Sequence, residues 1–184
     1  MTSASPEVYR LSPTPHVPNS VLPVLLYRSV LPPNPTADST RRALEKNLWM
    51  QGGVFKTYTA HHFHSVTHEC YAVFKGSSRL LLGRGPLDDP EGGKQLMFQV
   101  SVGDIIVLPA GVSHCSLHSE GEYEYVGLYP QGSPHWDNNF CKKPEETAQK
   151  AENARAVPVP EYDPIHGKDG PLVYLWQNAA AVAV

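Results

Sequence analysis

The sequence predicts an all-β fold, an antiparallel barrel or sandwich with a few short helices beside it, and three observations support this. Eighteen prolines and 14 glycines punctuate the 184 residues, a density that interrupts helices and marks turns. These breakers recur between short apolar runs instead of gathering into one linker. From Gly53 to Tyr129 the chain reads as one short strand pattern after another, most of them separated by turn residues. A chain of this length buries about 70% of its unfolded surface in one core, so residues 1–184 are read as a single domain.

The elements follow in order. The first 35 residues are Pro-rich and form an extended arm, in which VLPVLLY (Val21 to Tyr27) adds a strand with Pro23 on an edge, where no ladder N–H is needed. TADSTRRALEKNLW (Thr36 to Trp49) opens with a capping residue and carries an acid in its first turn, which predicts a short helix. Arm and helix fill residues 1–52. Residues 53–130 are the strand core, with KTYTAHHFH, ECYAVFKG, SRLLLG, MFQVSV, DIIVLP and YEYVGLYP as its strands. GRGPLDDPEGG (Gly83 to Gly93) is a hairpin loop without a GxGxxG or P-loop lysine pattern, so it does not read as a phosphate site. Residues 131–184 hold the polar and aromatic segment SPHWDNNF (Ser133 to Phe140), a connection able to close the barrel mouth. A surface helix follows over Lys143 to Ala156, with Pro144 near its first position and Glu146 four residues before Lys150. Leu172, Tyr174 and Trp176 alternate as a final strand would, and the closing NAAAVAV is expected to fray.

Composition removes several functions. A net charge of −3 and a pI near 6.3 give no basic footprint for a phosphate backbone, so nucleic acid is not an expected partner. The N-terminus has no basic start with an apolar run behind it, and VLPVLLY is short and broken, so neither export nor membrane insertion is expected. Three cysteines without CxxC spacing argue against a disulfide framework and a Cys-rich zinc site, and fit a reducing compartment such as the cytosol. Cys115 faces away from His114, and Ser113 lacks a nucleophile-elbow context, so neither reads as a hydrolase nucleophile.

Four of the nine histidines fall within HHFHSVTHE, His61 to Glu69. In a strand, His62 and His64 leave the same face with Cα atoms about 6.6 to 6.8 Å apart. SVTH then has the length of a hairpin turn, after which Glu69 begins the returning strand beside His64. Two imidazoles and a carboxylate on one side of an ion leave its other side open, which suits iron, manganese, nickel, cobalt or zinc. GDIIVLPAGVSH offers a further ligand: Gly103 and Asp104 turn, Ile105 to Leu108 form a buried strand, Pro109 and Gly111 reverse the chain, and His114 opens another strand. His61 should face outward and His68 away from Glu69, so neither is taken as a ligand. His118, four residues beyond His114, shares its strand face and is expected inside the barrel, either near the substrate or as a hydrogen-bonded core residue. Tyr58 and Tyr71 share faces with His62 and Glu69, and their hydroxyls either line the pocket or bond to backbone.

These two segments resemble the two signature motifs of the cupin superfamily. His62, His64, Glu69 and Gly76 match the HxH, E and closing G of the first, and Gly103, Pro109, Gly111 and His114 match the G, PxG and H of the second. Lys56 stands where the first motif opens with Gly, and His118 where the second closes with Asn; neither position is normally a ligand. Beyond the motifs the chain resembles small single-domain bacterial and fungal cupins through HxHSxTHE, GDxxVLPAGVxH, YPQGSP and a closing DPxxGxxGPLxxLW. The resemblance implies a double-stranded β-helix, the cupin jelly-roll barrel, holding one divalent transition metal per chain on His62, His64, Glu69 and His114. It further implies a metal-dependent enzyme acting on a small organic molecule, by oxygenation first, otherwise by isomerisation, decarboxylation or elimination. Glu69, His118, Tyr58 and Tyr71 are then the candidate catalytic residues, and Tyr58, Tyr71, Phe98, His118 and Trp136 the candidates to line the pocket. The superfamily also includes storage and regulatory proteins, so a non-catalytic binding module is the second expectation. Metal-free sugar-nucleotide epimerisation would leave the quartet unexplained. Exposed edges and extended arms at both ends predict a homodimer.

Overall fold

In the computed structural model, which describes residues 5–90 and 96–182, the strands join in one antiparallel sheet whose bending is set by glycines. The first four residues of the predicted arm, Glu91 to Gly93 of the predicted loop and the last two residues of NAAAVAV lie outside the described residues. Strand β4 (Glu69–Leu82) and strand β7 (His114–Pro130) are its long central pair. On the other edge of β4 lie β6 (Ile105–Leu108), opposite residues 69–72, and β5 (Leu96–Ser101), opposite residues 77–82. Gly76 in β4, Gly103 between β5 and β6, and Gly121 in β7 all have positive φ, and register shifts fall around the β4 bend. A Cβ on Gly76 would lie 2.3 Å from the Glu120 carbonyl oxygen, so only glycine fits where the strands turn together. Two of these bend points are motif glycines, and the predicted strands ECYAVFKG and SRLLLG are the two halves of one bent strand.

Bending folds the sheet over on itself. Tyr71, Val73, Ile106 and Leu108 from one half share an apolar cluster with Leu80, Leu82 and Val100 from the other. This is the all-β jelly roll with short flanking helices that the sequence predicts. The opposite face of the first half, with Cys70, Ala72, Ile105, Val107, Val126 and Leu128, packs under helix residues Leu44, Leu172 and Trp176. Alternate residues of β4 thus enter two different cores, the behaviour that a period of two dictates. Each fully buried Leu, Ile or Val contributes about 1.5–3 kcal/mol.

The edges are occupied in turn. Strand β2 (Val24–Tyr27) pairs with both β6 and β1 (Glu7–Tyr9), so Pro23 precedes an internal strand and does not sit on an edge as expected. Helix α1 (Ala37–Glu45) starts where predicted: the Thr36 hydroxyl accepts the Ser39 N–H, and the Ser39 hydroxyl accepts the Thr36 N–H. It stops short of the predicted Trp49, because Leu48 turns to a φ of 61° and Trp49 opens strand β3 (Trp49–Phe55). The paired glycines of WMQGGVF hide that strand from a propensity reading, and β3 lies against β7 at the far edge of the sheet. KTYTAHHFH is extended but is no ladder strand; it makes isolated bridges at His62 and Phe63, and SVTH does not close a hairpin.

Helix α2 (Pro144–Ala156) forms as predicted and buries Ala154 alone. The predicted final strand is instead helix α3 (Pro171–Val182), which also takes in most of the tail expected to fray. Its buried residues are Pro171, Leu172, Trp176 and Ala179, the last three at helical spacing. Pro171 starts it, and the buried Asp163 carboxylate accepts the Leu172 N–H and the Tyr27 hydroxyl. Among the described residues, no helix is long and apolar enough to cross a membrane. All three thiols are buried and unpaired.

Candidate metal centre

The site forms where two strands begin. His62 and His114 exchange both backbone bonds, at 3.2 and 2.9 Å, and the Gly111 N–H donates to the His64 carbonyl at 2.8 Å. That pinning puts His62 and His64 on the inner face with Glu69, the first residue of β4, and His114, the first of β7. All four side chains are buried.

Each imidazole is oriented by a carbonyl. The Nδ1 of His62 donates to Ala60 O at 2.9 Å, that of His64 to Asp137 O at 2.6 Å, and that of His114 to Val112 O at 3.1 Å. This tautomer leaves each Nε2 as a lone pair, the arrangement found where a carbonyl steers a metal-binding histidine. The ligand atoms of the three histidines lie within 4.8 Å of one another. Glu69 Oε2 lies 2.9 Å from His64 Nε2 and 3.3 Å from His114 Nε2, and the other oxygen, Oε1, accepts the Tyr129 hydroxyl at 2.7 Å.

This donor set fits a cation. The buried His114 Nε2 has no hydrogen-bond partner, and leaving a buried polar atom unpaired costs about 1–3 kcal/mol. Burial, then His114 beside it, pushes His62 down to about 3, so it stays neutral. Burial works the same way on His64, but the Glu69 charge and hydrogen bond outweigh it and raise its pKa. Burial would raise Glu69 too, yet the adjacent His64 and His114 hold it well below the usual carboxylate range. With Nδ1–H committed to Asp137, the His64 Nε2 lone pair faces a Glu69 carboxylate oxygen at 2.9 Å, acceptor against acceptor, and a cation between them would relieve that contact. Three nitrogen donors and one carboxylate suit a divalent first-row ion.

The cleft beside these ligands measures about 80 Å³ and is walled by Phe55, Tyr58, Tyr71, Tyr125, Tyr129, Trp136 and Asn138. SPHWDNNF lies across it. Trp136 stacks on Tyr129 with centroids 4.6 Å apart and planes 7° from parallel. The Asp137 carboxylate accepts the Ser65 N–H at 2.7 Å and its hydroxyl at 2.6 Å. Burial opposes ionisation of Asp137, but these bonds, the bond from Asn139 and the Lys150 charge hold it at about 2. A larger cavity of about 480 Å³, lined by Trp49, His68, Pro130 and Pro158 among others, is not where the ligands converge. Donor chemistry locates the site; volume does not.

His62, His64, Glu69 and His114 come together as the sequence predicts. Tyr58 sits at the rim, 39% exposed, its ring 4.7 Å from that of His62. Tyr71 is buried, 5.5 Å from His114 and stacked on Tyr125 at 3.9 Å. Trp136 reaches the cleft; Phe98 does not, and stacks on Tyr9 elsewhere. His118 is a correction: its side chain is 70% exposed beside Glu120. Opposite β4 the register slips, Arg79 facing His118 but Leu80 facing Ser116, and this extra residue turns His118 outward. His61 turns to the Arg84 carbonyl. His68 points away from the site but is buried, its Nδ1 accepting the Ala110 N–H at 2.9 Å. Cys115 is buried, and its thiol is pushed up to about 11 by desolvation, which disfavours a nucleophilic role. Sequence reasoning missed Tyr129 and Asp137 as partners of the ligands; the signal for Tyr129 was its place in YPQGSP.

No model of a known protein family matches the chain. It is 27% identical over 154 residues to the uncharacterized protein YjlB of Bacillus subtilis, covering 84% of this chain and 86% of that one. Similar solved structures include RmlC from Streptococcus suis in complex with dTDP-D-xylose, at 10% identity, 71% and 72% coverage and a TM-score of 0.38. Procruciferin, an 11S globulin of Brassica napus, matches at 11% identity over 85% of this chain and 37% of its own, with a TM-score of 0.38. A vicilin of Solanum melongena matches at 18% identity over 50% of this chain, which spans 24% of the vicilin, with a TM-score of 0.34.

Proposed function

We propose that this chain is a metal-dependent enzyme acting on a small organic molecule at a centre made by His62, His64, Glu69 and His114, in the manner of the cupins that its motifs resemble. One observation carries the reading: three buried, carbonyl-oriented imidazoles converge with a carboxylate, and one of their nitrogens has no partner. An iron, manganese, nickel, cobalt or zinc ion held there supplies Lewis acidity toward a substrate oxygen, and iron, manganese or nickel redox chemistry as well. Oxygenation is the first reaction class on the superfamily resemblance, with isomerisation, decarboxylation and elimination after it.

The chain's own residues have separable tasks. His62, His64 and His114 offer their Nε2 atoms to the ion and Glu69 its carboxylate, which on detaching would take a proton from a substrate. Trp136 and Phe55 keep water from the ligands. Tyr58, at the rim, meets what enters.

The size of the cleft favours the second reading, a binding module in which the ion is a fixture. At about 80 Å³ the cleft is well under the roughly 300–1,000 Å³ of small-molecule sites; an enzyme here admits only the reacting end of its substrate. We also propose a homodimer, because among the described strands β3 pairs only with β7 and carries exposed Met50 and Val54; monomers throughout the micromolar range in light scattering would refute it. Buried free thiols favour the reducing cytosol, which cell fractionation checks.

Elemental analysis tests the centre itself, on protein purified without a chelating tag beside the His62→Ala/His64→Ala variant. Near-stoichiometric metal in the wild type alone is expected, and oxygen consumption with small organic substrates then separates enzyme from module. Metal in neither protein, or in both, would reject the centre.

A further inference from the structure

We propose that Tyr129 is a positioning residue of the centre: its hydroxyl occupies one oxygen of Glu69, leaving the other alone to face the histidines, and Trp136 holds Tyr129 in that position. The inference rests on the metal-centre reading and concerns how the centre is tuned.

The geometry is specific. Tyr129 donates to Glu69 Oε1 at 2.7 Å, while Oε2 lies 2.9 and 3.3 Å from the two histidine nitrogens. A carboxylate can bind an ion through one oxygen or two; a donor fixed on Oε1 favours the one-oxygen mode and keeps the group from rotating. Tyr129 is itself immobilised, since Trp136 covers its ring almost in parallel and the residue is 7% exposed. The strands are shaped around this stack. A Cβ on Gly52, at the register shift of β3, would lie 2.4 Å from Tyr129 Cε2 and 2.8 Å from Trp136 Cζ3. A Cβ on Gly127 would lie 2.7 Å from Phe55 Cε2 and 3.4 Å from Glu69 Oε1. Trp136 is followed by Asp137, whose carbonyl orients His64, so one short segment braces two members of the centre.

Cobalt(II) titration followed by visible absorption tests this in the full chain, with thermal melts to confirm folding. Tyr129→Phe keeps the stacked ring and removes only the donor. We expect it to weaken cobalt binding about 10–100-fold, as loss of a group supporting a ligand does, and to alter the cobalt absorption bands. In a Glu69→Gln background the same substitution should add almost nothing, because its effect passes through the carboxylate. Trp136→Ala should shift affinity and bands in the same direction by less, and it reads the same relay if Tyr129→Phe does not fold. Wild-type affinity and bands in Tyr129→Phe, or a full additional loss beside Glu69→Gln, would overturn the inference while leaving the centre intact. A wild-type protein that takes up no cobalt would overturn the centre and the inference together.

Discussion

His64 and His68 lie four residues apart, are 4% and 1% exposed, and each has a ring nitrogen bonded to backbone, yet they serve opposite ends. His68 lies on the helix-covered face against Trp176, with ring centroids 4.6 Å apart. Both its nitrogens are satisfied, Nδ1 by the Ala110 N–H and Nε2 by the Pro158 carbonyl. His64 lies on the inner face, where Nε2 meets a carboxylate and two more imidazoles. Burial is common to both. What separates a structural histidine from a ligand here is a surplus of acceptors around it.

The contrast can be broken at several points, the largest effect first. His62→Ala/His64→Ala should lose essentially all bound metal, whereas His68→Ala should keep its full complement; equal loss by elemental analysis would erase the distinction. His68→Ala should instead lower stability by about 3–5 kcal/mol, since it opens a cavity under Trp176 and strands the Ala110 N–H, as a denaturant midpoint would read. Desolvation holds His68 down at about 4, against 6.5 for the exposed group. The unfolded chain therefore binds this proton first, and stability falls as pH drops from about 6.5 to about 4, by roughly 3 kcal/mol in all. In the His62→Ala/His64→Ala background, adding His68→Gln should flatten that slope, and an unchanged slope would assign it to other groups. His118→Ala should be the quietest change, within about 0.5 kcal/mol and without effect on metal content.

The ligand quartet was legible because its spacing is local in both halves: HxH with Glu five residues on, and PxG with His three residues on. The turn at Gly103 was legible as well, whereas Gly76 read as the end of one strand and is a bend inside a longer one. The failures share a cause. Leu172, Tyr174 and Trp176 fit a strand, but Leu172 and Trp176 with Ala179 also fit one face of a helix; Pro171 is the cue that decides. His118 was placed by counting along a strand, and one inserted residue in the ladder defeats such counting. Tyr129 and Asp137 act on residues 60 and 73 positions away, a relation that no window of sequence contains.

The bridge between His62 and His114 has a consequence in time. It spans 52 positions of the chain, and Glu69 takes its place only as β4 aligns with β6 and β7. Non-local pairings of this kind form slowly, and the four ligands meet only once those ladders have closed. A cation held by them would therefore recognise the finished sheet and not its precursors. It is expected to lengthen the life of the native protein by slowing unfolding while leaving the folding rate almost untouched.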